Sequence, residues 1–143
     1  MLAILSTNSE AAEPVSLLFV YGSMMRGLAR SSYLQNPDRA RFIGEAVASG
    51  KLFEFGSLPC LISDLSGYRV KGELYELFDP ESSLATLDLI EGCWPEEPER
   101  SLYLRRLIHV RGQEGGEFEA WAYLFNFPPD DLIEIVSGDY RQI

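Results

Sequence analysis

A carboxylate, Glu91, occupies a position in the sequence where a charged side chain is unusual. The segment 79–92 is predicted to form a helix, and in a helix Glu91 falls on the same arc as Leu84 and Leu87. Acidic side chains are rarely buried alone, so a carboxylate in phase with an apolar stripe needs a partner, a cavity or a chemical task. The last turn of a helix disfavours negative charge, and partial burial acts in the same direction. We therefore predict that the pKa of Glu91 is raised.

The loop Tyr21-Gly22-Ser23-Met24 is the second candidate for chemistry, because it directly follows the apolar run 17–20. The run is typical of a buried strand that opens into a tight loop. Gly22 has no Cβ and permits unusual φ/ψ angles, so the N–H groups after it could converge on an anion or a carbonyl. From these residues alone a second interpretation stays open, in which Gly22 only turns the chain after a core strand.

Other kinds of chemistry fit these positions less well. Ser23 lacks the Gly-x-Ser-x-Gly sequence of a nucleophile elbow, and the only histidine, His109, has no cluster of ligands around it. Asp88 and Glu91 lie three residues apart on one helix, where they sit side by side instead of flanking a sugar bond. We interpret Ser23 as a hydrogen-bonding loop residue, Asp88 as a structural acceptor and His109 as a partly exposed side chain.

The order of short apolar runs and turn residues predicts a chain rich in antiparallel strands. Strands are predicted over 41–48, 51–55, 58–62, 68–78, 102–111 and 118–127, with a turn at Ser49-Gly50 and the last two strands forming a hairpin. Short helices are predicted over 28–35 and 130–136. Asp79 and Pro80 are typical of the start of the helix 79–92, and Gly92 is typical of its end.

Composition bounds the possible partners and the cellular setting. The net charge of −10 repels phosphate backbones and anionic lipids, so a small-molecule ligand is favoured over nucleic acid or a membrane. No apolar run approaches a membrane span, and no signal peptide is evident, which predicts a cytoplasmic protein. Residues 15–143 are predicted to form one domain and residues 1–14 a disordered tail. Cys60 and Cys93 are isolated, so we predict reduced thiols and no metal site.

Five spaced motifs occur in a fixed order along residues 17–141. They are Tyr21-Gly22-Ser23-Met24, Gly72-Glu73-Leu74-Tyr75-Glu76-Leu77, Leu87-Asp88-Leu89-Ile90-Glu91-Gly92, Tyr103-x-Arg105 and Gly138-Asp139-Tyr140. Each motif is weak alone, but their order and spacing together resemble the γ-glutamylcyclotransferase-like family. Within that family the resemblance is strongest to the γ-glutamylamine cyclotransferase branch.

The resemblance implies an α+β fold, a small mixed β-barrel with a few short helices packed against it. It also implies release of 5-oxoproline from a γ-glutamyl amine or amide, without metal or cofactor. Glu91 would be the catalytic acid/base, and the main chain of Tyr21, Gly22, Ser23 and Met24 would hold the α-amino acid end of the substrate. Met24 stands where leucine is usual in the family, and the two side chains are similar in volume.

Four points stay open at this stage. The same fold and pocket would also suit a non-catalytic domain that binds a small molecule or a protein. Tyr103 and Arg105 share one face of a strand, where they could form an aromatic wall with an ion-pairing arginine or contact the substrate directly. The identity of the leaving amine and the oligomeric state cannot be read from the residues.

Overall fold

The computed structural model describes residues 15–142, so the predicted tail, 1–14, lies outside the described residues. Within that range the chain forms seven strands, two α-helices and a few 3₁₀ turns. The strands are β1 Leu17–Val20, β2 Ala40–Phe55, β3 Leu58–Ser63, β4 Arg69–Leu77, β5 Tyr103–Gly112, β6 Glu117–Phe125 and β7 Ile133–Ile135. The helices are α1 Ser32–Gln35 and α2 Pro80–Glu91.

Five of the strands close into a barrel in the order β2-β4-β1-β6-β5. Closure comes from a second pairing of β2, whose residues Ala46–Ala48 lie opposite Val110–Gly112 of β5. The neighbours in the barrel are antiparallel, apart from β1 and β6, which are parallel at Leu18 and Trp121. The α+β fold with a small mixed barrel, expected from the resemblance, is confirmed.

Strand β2 is longer than predicted because Ser49-Gly50 does not form a turn. Residues 40–49 of this strand pair with β4, and from Gly50 onward the strand pairs with β3 instead. A Cβ on Gly50 would lie 2.3 Å from the carbonyl oxygen of Ile62. The glycine therefore permits a close approach of two strands where β2 changes partner, and the prediction of a turn at this position was wrong.

The two short helices were predicted less well than the strands. In the segment 28–35 only α1 is helical, because the residues before it form hydrogen-bonded turns around Met25, Leu28 and Ser31. The predicted helix 130–136 is wrong, since β7 lies there and pairs with Leu52–Glu54. The free edge of the far half of β2 supplies backbone hydrogen bonds that a one-turn helix could not match.

Strand β1 is buried on both faces and separates two apolar clusters. Leu18 and Val20 join the cluster that packs under α2, which includes Leu84 and Leu87. Phe19 belongs to the other cluster, which contains residues from all seven strands.

Cys60 and Cys93 are both buried, and neither forms a disulfide bond within the described residues. No helix within residues 15–142 is long and apolar enough to cross a membrane.

Helix α2 begins and ends where the sequence predicted. The side chain of Asp79 accepts a hydrogen bond from the N–H of Ser82 at 3.3 Å, and Pro80 occupies the first turn. Gly92 adopts a left-handed conformation with φ of 65°, and the N–H of Cys93 donates to the carbonyl of Asp88. These ends fix Glu91 in the last turn of the helix.

Candidate active site

A small pocket that is open to solvent lies where the loop after β1 meets α2. It is lined by Phe19, Val20, Tyr21, Gly22, Ser23, Met24, Arg30, Pro59, Glu91 and Tyr123. All five residues that the sequence suggested as a site lie in this lining, so the fold brings the loop and the carboxylate together. Arg30, Pro59 and Tyr123 are additions that the sequence did not suggest.

Glu91 has both a partner and a cavity. Its side chain is 10% exposed, and Arg30 Nη2 lies 2.9 Å from Glu91 Oε2. Burial raises the pKa of Glu91, and the opposite charge and hydrogen bond of Arg30 partly offset that rise. The direction agrees with the expectation from the sequence. A carboxyl group in this setting holds its proton more readily than one in water while keeping a stabilised charged form.

The loop after β1, which lines the pocket, has three backbone N–H groups without a protein acceptor in the described residues. The carbonyl of Gly22 accepts from Met25 N at 3.0 Å, and that of Ser23 accepts from Arg30 N at 2.9 Å. In contrast, within residues 15–142 the N–H groups of Gly22, Ser23 and Met24 donate to no protein acceptor. These three residues line the pocket, and a backbone N–H group without a protein acceptor can bind an anion or a carbonyl oxygen.

A glycine is needed at position 22 because Pro59 lies close to it, and not because of its backbone angles. It is not among the glycines with positive φ, so the unusual conformation that the sequence allowed is not used. A Cβ at this position would lie 2.3 Å from Cγ and 2.8 Å from Cβ of Pro59. The ring of Pro59 is rigid and belongs to β3, so the loop lies against the barrel only because residue 22 has no side chain.

We predict that Gly22→Ala lowers both activity and stability, because the added methyl group must push the loop away from Pro59. Forced overpacking of this kind costs about 1–3 kcal/mol of the free energy of unfolding. Gly44→Ala is the matched control, since a Cβ at Gly44 meets nothing within 4 Å and its φ is not positive. Urea unfolding and turnover of both variants check the prediction. Gly22→Ala with stability and turnover equal to those of Gly44→Ala would contradict it.

Asp88 is held as a structural acceptor, in agreement with the sequence interpretation. Its Oδ1 accepts from Arg105 Nε at 2.8 Å and from the hydroxyl of Tyr123 at 2.7 Å, while its Oδ2 accepts from Arg105 Nη2 at 3.1 Å. The hydrogen bond and charge of Asp88 raise the pKa of Arg105. Both oxygens are therefore committed, and Asp88 ties α2 to strands β5 and β6.

Tyr103 and Arg105 act as supports in this geometry. The hydroxyl of Tyr103 donates to the carbonyl of Pro59 at 2.6 Å, and its ring meets Phe125 edge to face. Burial raises the pKa of Tyr103, which keeps its hydroxyl protonated as a donor. Neither Tyr103 nor Arg105 lines the pocket. Tyr103 instead fixes the proline against which Gly22 packs, and Arg105 forms the ion pair with Asp88.

Two side chains considered for chemistry have other environments. His109 is 65% exposed, and its Nε2 lies 2.6 Å from Glu117 Oε1 on the outer surface of the β5–β6 hairpin. Tyr21 is buried, and its hydroxyl donates to the carbonyl of Tyr123 on β6. Burial raises the pKa of Tyr21, with smaller contributions in the same direction from Tyr103 and Glu91. Tyr21 is therefore a neutral donor that joins the start of the loop to β6.

A second buried carboxylate, Glu73, holds the end of the loop through Arg26. It accepts from the backbone N–H of Arg26 at 2.9 Å, from the hydroxyl of Tyr75 at 3.0 Å and from Arg141 Nη2 at 3.2 Å. The Nε of Arg26 lies 3.3 Å from Glu73 Oε2, the oxygen that also accepts from Arg141. The sequence pattern could have identified Glu73, because it lies on the same face of β4 as Tyr75 and Leu77, which are buried.

The last motif, Gly138-Asp139-Tyr140, directs the end of the described chain toward this loop. Gly138 has φ of 71°, and a Cβ there would lie 2.1 Å from the carbonyl oxygen of Arg69. Its own carbonyl accepts from Lys71 N at 2.8 Å, which fixes the segment against β4. Asp139 Oδ1 then accepts from Arg141 N, and Arg141 Nη2 reaches the carbonyl of Arg26 at 2.6 Å.

The barrel and the pocket define a class of small-barrel protein in which a helix-terminal glutamate faces a glycine-containing loop. Residues 18–142 match the family described as Gamma-glutamyl cyclotransferase, AIG2-like. The match covers most of the chain, and the chain therefore belongs to this family. A search of curated proteins finds no match.

Solved structures with the same fold support the assignment. An AIG2-like protein from Mus musculus is 28% identical, with a TM-score of 0.67 over 80% of this chain and 80% of that chain. An uncharacterized protein from Pyrococcus horikoshii is 27% identical, with a TM-score of 0.60 over 87% of this chain and 88% of the other. A protein described as gamma-glutamyl cyclotransferase is 21% identical, with a TM-score of 0.56 over 82% of this chain and 68% of the other. The last likeness concerns the fold alone.

Proposed function

We propose that this protein is a γ-glutamyl cyclotransferase that releases 5-oxoproline from a γ-glutamyl amine or amide, with Glu91 as general acid/base. One observation carries the proposal. A carboxylate that is 10% exposed shares a pocket with Gly22, Ser23 and Met24, whose N–H groups have no protein acceptor within residues 15–142. A group able to transfer a proton and a set of backbone donors thus line the same pocket. Membership of the family supports the same reaction.

The reaction needs no external nucleophile, because the substrate carries its own. The α-amine nitrogen attacks the γ-carbonyl carbon, a new C–N bond closes the five-membered lactam, and the bond to the leaving nitrogen breaks. Glu91 accepts the proton that the attacking nitrogen loses and then delivers it to the leaving nitrogen. All atoms come from the substrate, so the protein has to fold it, move one proton and stabilise the oxyanion.

The environment of Glu91 suits both halves of this proton transfer. As a base the group must be ionised, and the guanidinium of Arg30 favours that form. As an acid it must hold a proton near neutral pH, and burial favours that form. A carboxyl group balanced between these two influences is a better acid/base than a fully exposed glutamate, because its pKa lies closer to the working pH.

The backbone donors of the loop can serve the reaction in one of two ways. The N–H groups of Gly22, Ser23 and Met24 are available either to the α-carboxylate of the glutamyl end or to the oxyanion that forms on the γ-carbonyl. In both cases the main chain holds the reacting half of the substrate. We also propose that residues 15–143 act as one domain without metal or cofactor.

A panel of γ-glutamyl amides tests the proposal. The purified protein is incubated with γ-glutamyl amino acids, γ-glutamyl alkylamides and γ-glutamyl-ε-lysine in the presence of a chelator, and 5-oxoproline is measured by mass spectrometry. We expect 5-oxoproline from at least one substrate class, formed in equal amount to the released amine. Saturable binding of these compounds with no turnover of any would overturn the proposal and favour the non-catalytic binding domain.

A further inference from the structure

A group of basic side chains lies on the outer surface of the barrel, where β2 runs between β4 and β5. The exposed members are Arg69 and Lys71 on β4 and His109 and Arg111 on β5. Val47 of β2 lies opposite Lys71 on one side and Arg111 on the other. Ser49, two residues further along β2, lies opposite Arg69. The four basic side chains therefore surround one short segment of β2.

A cleft of about 320 Å³ lies over this segment. Its polar lining consists of Arg69, His109, Arg111 and Ser49, and none of the described residues that line it is acidic. None of these four residues lines the candidate active site. We call this second site the basic cleft. It concentrates positive charge in a chain whose net charge is −10.

The donors of the basic cleft have no acceptor in the described part of the chain. Within residues 15–142, the guanidinium groups of Arg69 and Arg111 form no ion pair and donate no hydrogen bond, and the hydroxyl of Ser49 is also without a partner. Adjacent strands lie about 4.8 Å apart, so β4 and β5 are about 10 Å apart across β2, a gap that two arginine side chains can span. Like charges that share a cleft repel each other, and an anion between them is attracted to both.

Carboxylates at the edge of the basic cleft limit the size of an anion that can bind. Glu117 Oε1 lies 2.6 Å from His109 Nε2, and Asp139 Oδ2 lies 3.9 Å from Lys71 Nζ. Glu45 lines the neighbouring cleft. These groups and the net charge of −10 repel the flanking charges of an extended polyanion such as a nucleic acid. A compact anion that contacts only the two arginines avoids this repulsion.

A phosphate group suits these donors better than a carboxylate does. A carboxylate presents its two oxygens in one plane, where they match the donors of a single guanidinium. A tetrahedral phosphate carries about two negative charges and presents oxygens in several directions. It can therefore accept hydrogen bonds from guanidinium groups on opposite sides at the same time, and a serine hydroxyl supplies one more donor.

We propose that the basic cleft is a binding site for a compact phosphate-bearing small molecule. Arg69 and Arg111 hold the phosphate oxygens from two sides, and Ser49 donates its hydroxyl to the same group. The site shares no lining residue with the candidate active site, so it does not depend on the proposed reaction.

Binding of small anions to the full chain tests this proposal. The phosphate probes are inorganic phosphate, methyl phosphate and pyrophosphate, which distinguish a free phosphate, a phosphate ester and a diphosphate. Citrate is the control for a compact carboxylate, and single-stranded DNA is the control for an extended polyanion. Affinities are measured by calorimetry at constant ionic strength, because salt screens these charges.

The same titrations are made with Arg69→Gln, Arg111→Gln and Arg106→Gln. Arg106→Gln is the matched control, because it removes the same charge from an exposed residue of β5 that lines neither cleft. We expect saturable binding of at least one phosphate probe to the wild type, tighter than that of citrate or DNA. Arg69→Gln and Arg111→Gln should each weaken it by about 10-fold, the lower end for a charge-assisted interaction, because both side chains are exposed. Arg106→Gln should bind like the wild type.

Backbone amide chemical shifts locate the bound probe, and they should change at Ser49, Arg69 and Arg111. Shifts confined to Gly22–Met24 would place the anion in the candidate active site and overturn the proposal. The absence of saturable binding of every phosphate probe to the wild type would also overturn it, without the use of any variant. Tighter binding of citrate or DNA, or an equal loss in Arg106→Gln, would mean that the cleft does not recognise phosphate. None of these measurements involves 5-oxoproline, so the proposed function is tested separately.

Discussion

Replacement of Glu91 by glutamine should reduce turnover by about 10²- to 10⁴-fold, the usual range for losing a general acid/base. Glutamine keeps the shape of the side chain and one acceptor for Arg30, but it cannot transfer a proton. The KM should change far less than kcat. In the wild type, the acid limb of kcat/KM should lie above the ordinary glutamate value of 4.5, because burial raises the pKa of Glu91.

The same substitution should not destabilise the fold at neutral pH, which separates a catalytic role from a structural one. Folding raises the pKa of Glu91, so the folded state binds the proton more tightly than the unfolded state. The stability associated with this group is therefore present below the unfolded pKa and is lost as the pH rises through the folded pKa. Glu91→Gln should melt at or above the wild-type temperature at neutral pH. An active but markedly less stable variant would identify Glu91 as a structural partner of Arg30.

Replacement of Asp88 by alanine should have the largest effect on stability. The change leaves the guanidinium of Arg105 and the hydroxyl of Tyr123 without their acceptor in a site where Asp88 is 6% exposed. Removing one partner of a buried ion pair typically costs 3–5 kcal/mol, and we expect about 3 kcal/mol because the side chain of Arg105 is 21% exposed. The free energy of unfolding, measured with urea, checks this value.

Glu76→Ala is the matched control for that experiment. It also deletes a carboxylate that pairs with an arginine, but the side chains of Arg41 and Glu76 are 61% and 36% exposed. Exposed pairs contribute about 0–1 kcal/mol, so this variant should remain close to the wild type. Equal losses in Asp88→Ala and Glu76→Ala would mean that the network joining α2 to β5 and β6 does not stabilise the fold.

Much of the site could be predicted because its signals are local. Helix α2 has a capping residue and proline at its start and a glycine at its end, so the phase of Glu91 relative to Leu84 and Leu87 followed from counting residues. The loop at Gly22 follows an apolar run that forms β1. Both signals come from residues that are close together in the sequence. The barrel was predicted from the family resemblance that the motif spacing carries, because the pattern of a single segment does not specify how strands pair.

The remaining parts of the site depend on contacts between distant segments. Pro59 meets Gly22, and Arg30 meets Glu91, only because the barrel closes and α2 packs on the apolar cluster that contains Leu18 and Val20. No periodicity in the sequence marks either pair. The errors at Ser49-Gly50 and in the segment 130–136 have the same origin. In both places pairing with a strand distant in the sequence outweighed a local preference for a turn or a helix.

The most direct test of the account is to follow the oxygen atoms of the product in heavy-oxygen water. Cyclisation retains the γ-carbonyl oxygen of the substrate, so the wild type should release unlabelled 5-oxoproline in equal amount to the leaving amine. Glu91→Gln should slow that release without changing the labelling. Hydrolysis would instead add one labelled oxygen to the γ-carboxylate and give free glutamate. Labelled glutamate as the wild-type product would contradict the mechanism proposed for this pocket.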